Sequence, residues 1–188
     1  EKYKEAIKCY DNAIEFNSKN STAWYNKGLT LNLLKIYEEA ITCYDKVIEL
    51  DPKDVDAWCN KGNSLVSLRD HWKAITCYDK VIELDPKNSA AWRFKGQTLN
   101  LLKIYEEAIR CYDKAIEFNP KNSDAWCHKG NSLNGLRRDK EAIKCYDKAI
   151  EFNSKNSTAW RFKGLTLNLL KIYEEAIKCY DKVIELDP

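Results

Sequence analysis

The sequence predicts an all-α chain built as a stack of helix pairs, and three observations carry that prediction. Five tryptophans stand 34 residues apart, at Trp24, Trp58, Trp92, Trp126 and Trp160. A glycine follows each by four residues, at Gly28, Gly62, Gly96, Gly130 and Gly164. A cysteine column keeps the same step through Cys9, Cys43, Cys77, Cys111, Cys145 and Cys179. A period of this length means one supersecondary unit copied along the chain. No unit can bury its own apolar face alone, so neighbours must stack into a solenoid.

The elements follow in order. Residues 1 to about 17 read as a lone second helix, the remainder of a partial unit covering 1–20. Full units then begin at residues 21, 55, 89, 123 and 157, which predicts repeats over 21–54, 55–88, 89–122, 123–156 and 157–188 of one array, eleven helices in all. Within the first full unit, Ala23, Trp24, Gly28, Leu31 and Leu34 recur at spacings of three and four, one face of a helix. Tyr37, Ala40, Ile41, Tyr44, Val47 and Ile48 mark the second helix in the same way. Between them Leu34-Lys35-Ile36 leaves room only for a tight turn. Ser21, Ser89, Ser123 and Ser157 are the expected N-caps of first helices. Pro52, Pro86, Pro120 and Pro188 stop the second helices.

Units from 21, 89 and 157 share TLNLLKIYEEAI, whereas those from 55 and 123 share DAWC and KGNSL. The deeper repeat is therefore a 68-residue double unit. The unit from 123 departs most. It has Asp139 where others have tyrosine or histidine, and Gly135 inside its first helix, which costs about 1 kcal/mol against alanine. Local opening is expected there first.

Composition bounds the function. The net charge is +2 over 188 residues with both signs interspersed, which argues against a dedicated nucleic-acid binder. No apolar run is long enough for a membrane helix. The chain starts at Glu1, partway through a unit, and reads as a piece of a longer protein. Its eight cysteines have repeat spacing, which places equivalent thiols beyond the Cα limit of about 7 Å for a bridge. Free buried thiols fit a reducing compartment, so a cytoplasmic location is expected. Two histidines and no Cys-x-x-Cys pair argue against zinc, and no cofactor is expected.

The 34-residue helix–turn–helix pattern of Trp24, Gly28, Leu31, Tyr37, Ala40, Tyr44, Val47 and Pro52 resembles the tetratricopeptide repeat (TPR) family over the whole chain. The resemblance implies a right-handed superhelical solenoid of antiparallel helix pairs. It is specific for fold and unspecific for function. Where the family usually has leucine before the glycine, this chain has Lys27, Lys61, Lys95, Lys129 and Lys163, whose stems can lie over apolar surface with the ammonium in water. The last helix has no polar cap after it, so apolar surface is expected around Cys179, Val183 and Leu186, a candidate for self-association.

The resemblance also implies a concave groove lined by the first helices. The positions facing it are Tyr25, Asn26 and Asn32; then Asn60 and Asn63; then Arg93, Phe94, Gln97 and Asn100; then His128, Asn131 and Asn134; then Arg161, Phe162 and Asn168. Asparagine is a poor choice inside helices, and the column Asn32, Asn100, Asn134, Asn168 suggests amides held for a ligand's backbone, or amides that solvate the groove and bond their neighbours. CNKGN at 59–63 looks like the inner groove of the O-linked N-acetylglucosamine transferase superhelix. Arg93 is expected to pair with Asp124, while Arg161 has no equivalent aspartate after it. Phe94 and Phe162 are either anchors or inter-unit packing. The carboxylate clamp of chaperone-binding relatives matches here only at Asn60.

The leading function is thus a protein-interaction scaffold that holds a peptide or protein segment in the groove. A non-catalytic recruiting part of a larger enzyme and a self-assembling array are the alternatives. RNA binding is less favoured. Cys127 and His128 are adjacent, so their side chains diverge by about 100° on a helix, and no catalytic residue is assigned.

Overall fold

A computed structural model of the chain describes residues 2–187, which are helices joined by short turns, with no strand among them. They form two compact units divided between Lys87 and Asn88. The first holds α1 (Lys2–Phe16), α2 (Ser21–Leu33), α3 (Tyr37–Leu50), α4 (Val55–Ser67) and α5 (His71–Leu84). The second holds α6 (Ser89–Leu101), α7 (Tyr105–Phe118), α8 (Ser123–Gly135), α9 (Asp139–Phe152), α10 (Ser157–Leu169) and α11 (Tyr173–Leu186).

Within each unit, every helix packs on the next in sequence. First helices also meet: α2 touches α4, and α8 touches both α6 and α10. The core of each pair is built from the periodic positions. Ala40, Tyr44 and Val47 on α3, and Ala142, Tyr146 and Ala149 on α9, are fully buried. The glycine of the first helix meets the tyrosine of the second. A β-carbon added at Gly130 would lie 2.5 Å from the Tyr146 ring, closer than packed atoms can approach. Glycine is therefore set here by the ring it faces.

The helix starts differ from expectation by one residue. The caps are Asn20, Asp54, Asn88, Asn122 and Asn156, each accepting from the backbone N–H three residues on, at 2.8–3.0 Å. The serines are the first helical residues instead. An Asn or Asp side-chain oxygen reaches the third N–H, and this frees the serine hydroxyl for another bond. Ser89 Oγ donates to Ala115 O, and Ser123 Oγ to Ala149 O. Pro188 lies outside the described residues.

The tight turn within each pair has one form throughout. Lys35, Arg69, Lys103, Arg137 and Lys171 all take φ of 61–63°. Ile36 N–H bonds Leu31 O and Lys35 N–H bonds Asn32 O, which closes the helix end in a Schellman motif. Long basic residues stand where glycine would be easiest, so each turn stores strain of about 1 kcal/mol.

The tryptophans fasten the turns between pairs. Indole Nε1 of Trp24, Trp58, Trp126 and Trp160 donates to the carbonyl six residues before it, on Ser18, Pro52, Pro120 and Ser154. Lys27, Lys61, Lys129 and Lys163 lay their ammonium groups over those same rings at 5.4–5.8 Å. Each then reaches an aspartate of the preceding second helix: Asp11, Asp45, Asp113 and Asp147. The expected stem-over-surface arrangement thus gains an ion pair that links neighbouring helix pairs.

The last helix corrects another expectation. Cys179 is buried, because it faces Gly164 of α10. Val183 and Leu186 are half-buried. The exposed apolar groups of α11 are Tyr173, Ile177 and Ile184.

Candidate functional site

The candidate site is the outward arc of the first helices, and the structure treats its members differently. In the first unit they are bound to one another. Asn60 Nδ2 donates to the Tyr25 hydroxyl, 2.9 Å away on α2, and to its own helix at Asp56 O. Burial and the neighbouring Asp56 push the Tyr25 hydroxyl pKa up, so it stays protonated. Ser64 Oγ donates to Asn32 Oδ1 at 3.1 Å. Tyr78 donates its hydroxyl to Asn63 Oδ1 at 2.8 Å. Asn26 is half-buried in the same row. A shallow cleft of about 230 Å³ opens between α2 and α4, lined by Ser21, Thr22, Tyr25, Asp54 and Asp56.

The second unit is arranged otherwise. Gln97 and His128 bridge α6 and α8 through their side-chain nitrogens, 2.6 Å apart, and the His128 ring stacks on Tyr112 at 6.0 Å. Burial, then the charge of Arg93, holds the imidazole pKa below its ordinary value. A neutral ring can accept from the Gln97 amide. Arg93 does not pair with Asp124. Its guanidinium lies over Phe94, 4.3 Å from the ring centroid. Asp124 instead takes the amide of Asn156 at 3.4 Å.

Phe162 stacks on Tyr146 of the preceding pair at 6.2 Å, so it serves inter-pair packing, and Arg161 lies over it at 4.5 Å with its charge exposed. Ser132 Oγ donates to Asn100 Oδ1 at 2.8 Å. Asn131 and Asn134 are half-buried, and Asn168 is exposed further along. Asn100, Asn131 and Asn134 come together on one cleft of about 360 Å³ with Tyr105, Gly135 and Arg137, closed by Leu169 of α10.

Arg137 and Tyr105 were not visible on a helical wheel, because neither lies on a first helix. The one available signal was Gly135. Leu33, Leu101 and Leu169 occupy its position in other units. A β-carbon at Gly135 would stand 2.7 Å from the Tyr105 ring. The glycine thus matches a tyrosine, which gives its helix-propensity cost a purpose in packing.

Cys127 points into the core beneath Leu133 and Tyr146, away from His128. Burial pushes its thiol pKa up to about 12, and those of Cys43, Cys77 and Cys145 to about 11. Such thiols stay protonated and unreactive. None of the eight cysteines is joined in a disulfide. Among the described residues no cluster of three or more His, Cys, Asp or Glu side chains is placed to hold a metal ion. None of their helices is long and apolar enough to cross a membrane.

Solved structures with the same fold include MamA, 24% identical, with 85% of this chain and 94% of that chain covered and a TM-score of 0.75. MamA from Desulfovibrio magneticus RS-1, residues 41 to the end, is 22% identical over 89% of this chain and 94% of its own, with a TM-score of 0.78. YrrB, described as a TPR protein with an unusual peptide-binding site, is 24% identical over 95% and 92%, with a TM-score of 0.70. At these identities the likeness is one of fold. No curated protein matches the sequence. The tetratricopeptide repeat model matches residues 21–54, 55–88, 89–122, 123–156 and 157–188, and a related TPR repeat model matches 1–35. The chain belongs to the tetratricopeptide repeat family.

Proposed function

We propose that the chain is a non-catalytic scaffold, one continuous array of repeats, that docks an extended peptide along the outward faces of its first helices. The observation that carries this reading is the set of carboxamides on α6, α8 and α10, where Asn131 and Asn134 open onto a cleft and Asn168 is exposed. A carboxamide donates and accepts at once, which suits a peptide backbone whatever its side chains. Packed helices hold these groups in place, so docking costs little ordering of the receptor. The family's usual role as a protein-binding scaffold, and the peptide-binding site of YrrB, support the reading.

The test is a pull-down from a reducing lysate with the chain beside an Asn131→Ala/Asn134→Ala/Asn168→Ala variant. Among the described residues, the side chains of these three form no hydrogen bond. Partners held by the parent chain and lost by the folded variant support docking on these faces. Partners held equally by both place the binding surface elsewhere.

Self-association is a second reading, favoured by the exposed Tyr173, Ile177 and Ile184 of α11. Three large apolar groups on one helix form a patch of the kind that associates. Sedimentation velocity of the chain beside an Ile177→Lys/Ile184→Lys variant tests it. A larger species confined to the parent supports the patch, and a monomer in both discards it.

A further inference from the structure

We infer that Gln97 is a proton-controlled latch: it ties α6 to α8 through the neutral His128 ring, and when that ring is protonated it turns to the Tyr112 hydroxyl of its own helix pair. The latch goes beyond peptide docking and stands without it, because it concerns only bonds that the chain makes with itself.

Its first sign is a buried donor without an acceptor. Tyr112 on α7 is fully buried, and its hydroxyl has no hydrogen-bond partner. Burial pushes the hydroxyl pKa up, so it stays an O–H donor. Leaving a buried donor in this state is costly. The repeat shows which group would accept it. In α4 and α5, Tyr78 donates to Asn63 Oδ1, 15 positions before it. Gln97 stands 15 positions before Tyr112, at the place of Asn63. The α6 backbone lies against the ring there, since a β-carbon on Gly96 would be 2.7 Å from it. Glutamine has one methylene more than asparagine and keeps the carbonyl.

Gln97 is instead drawn to α8. Its side-chain nitrogen lies 2.6 Å from His128 Nε2, and the imidazole stacks on Tyr112 at 6.0 Å. The amide donates in this arrangement, so Nε2 carries a lone pair and the ring is neutral. A protonated ring donates from both nitrogens, and the bond to the amide nitrogen is lost. The charges around the ring then supply another partner. Arg93 on α6 opposes protonation, and Asp124 favours it. Asp124 is exposed and stands four residues before His128 on α8, the spacing at which opposite charges meet on a helix. From α9, Tyr146 packs on Gly130 and Phe162. On α10, Arg161 lies over Phe162 and acts on the Cys127 thiol. An imidazolium therefore pairs with Asp124, and the freed Gln97 carbonyl takes the Tyr112 hydroxyl. The neutral state links two first helices and orphans the tyrosine. The protonated state satisfies the tyrosine and cuts the link.

The consequence falls on the outward face. Gln97 with His128, and Asn100 with Ser132, bond α6 to α8. Acid opens the first of these and leaves the second, which lies nearer the turn. On α4 the place of His128 is taken by Asn60, which has no titrating group and bonds Tyr25. The latch is thus confined to the second unit.

The experiment is an NMR titration of the full ¹⁵N,¹³C-labelled chain between about pH 8 and 5, spanning the ordinary histidine range. It follows the His128 ring, the Gln97 side-chain amide and the Tyr112 ring. All three should move with one midpoint. Tyr112→Phe removes the bond that the protonated state gains, so the His128 midpoint should fall by roughly half to one pH unit, a threefold to tenfold weaker hold on the proton. This variant loses only an unpartnered hydroxyl and keeps the fold, which urea unfolding at the alkaline end verifies. Asp124→Asn should lower the midpoint as well. A Gln97 amide indifferent to the His128 titration overturns the latch. So does a midpoint that fails to fall in Tyr112→Phe or in Asp124→Asn. A histidine that merely packs on the Tyr112 ring would leave the midpoint of Tyr112→Phe where it was.

Discussion

Helix α4 of the first unit reads VDAWCNKGNSLVS and α8 of the second reads SDAWCHKGNSLNG. Both bury the same alanine, glycine, serine and leucine positions, and both are capped by an acidic or amide side chain bonded to the same N–H. Their outward groups are committed differently. On α4, Asn60 serves Tyr25 and Asn63 serves Tyr78, so the amides hold the fold together. On α8 the first of these is His128, which turns to Gln97, and Asn131 does not bond the buried Tyr146 hydroxyl, whose polar neighbour is the Thr166 side chain. Near-identical sequence thus yields one helix whose amides are internal and one whose amides face a cleft. The clefts also differ in sign, with Asp54 and Asp56 in the first unit and Arg137 in the second.

The largest effect should come from glycines that look alike in sequence. Gly130→Ala forces a methyl into the buried Tyr146 ring and should cost about 1–3 kcal/mol in urea unfolding. Gly62→Ala should cost as much, because its β-carbon would lie 2.7 Å from the Tyr78 ring. Gly135→Ala meets only the half-buried Tyr105 and gains helix propensity of about 1 kcal/mol, so it should be near neutral. Equal losses at Gly130 and Gly135 would break the comparison.

Next come the tyrosine hydroxyls. Tyr78→Phe abandons a bond and should lose about 1 kcal/mol, whereas Tyr112→Phe, in the second unit, removes an unpartnered buried hydroxyl and should leave stability equal or higher. The sign of the two changes, read from the same unfolding curves, is the decisive quantity.

Turn strain predicts a smaller effect of the opposite sense. Arg69→Gly and Arg137→Gly relieve the same positive φ, and each should raise stability by roughly 0.5–1 kcal/mol. Equal gains would place the difference between the two regions in side chains and not in backbone.

The smallest effect is one of pH. The His128 pKa is lowered in the fold, so the unfolded chain takes up a proton first as pH falls. Stability contributed by the neutral ring is present above pH 6.5 and declines below it. His128→Asn, which copies α4, should flatten the decline of stability as pH falls below about 6.5. An unchanged acid limb would show that the ring is not held neutral.

How far the sequence could be read depended on the distance over which each feature is decided. Helix spans and the tight turn follow from spacing within 34 residues, and the structure has them where spacing put them, whereas the tyrosine that each first-helix glycine faces appears only in the structure. The caps were misplaced by one residue because Asn and Ser are both good caps, and only bond geometry separates Asn20 from Ser21. Arg93 lies over Phe94 and Asp124 takes the Asn156 amide, contacts that helical spacing does not show. Cys179 was expected at the exposed end and is buried, because its side chain turns toward Gly164.

Apolar periodicity and residue size therefore determined the helices, their pairing and the inward face, since those depend on neighbours along the chain. The commitment of each outward amide needed the tertiary structure. Whether Asn63 is held by Tyr78, or Asn100 by Ser132, is settled by partners 15 and 32 residues away in sequence and within 3 Å in space. A hydrogen bond is made or lost over a few tenths of an ångström. No periodicity in sequence resolves that distance, and the cleft beside Gly135 depends on it.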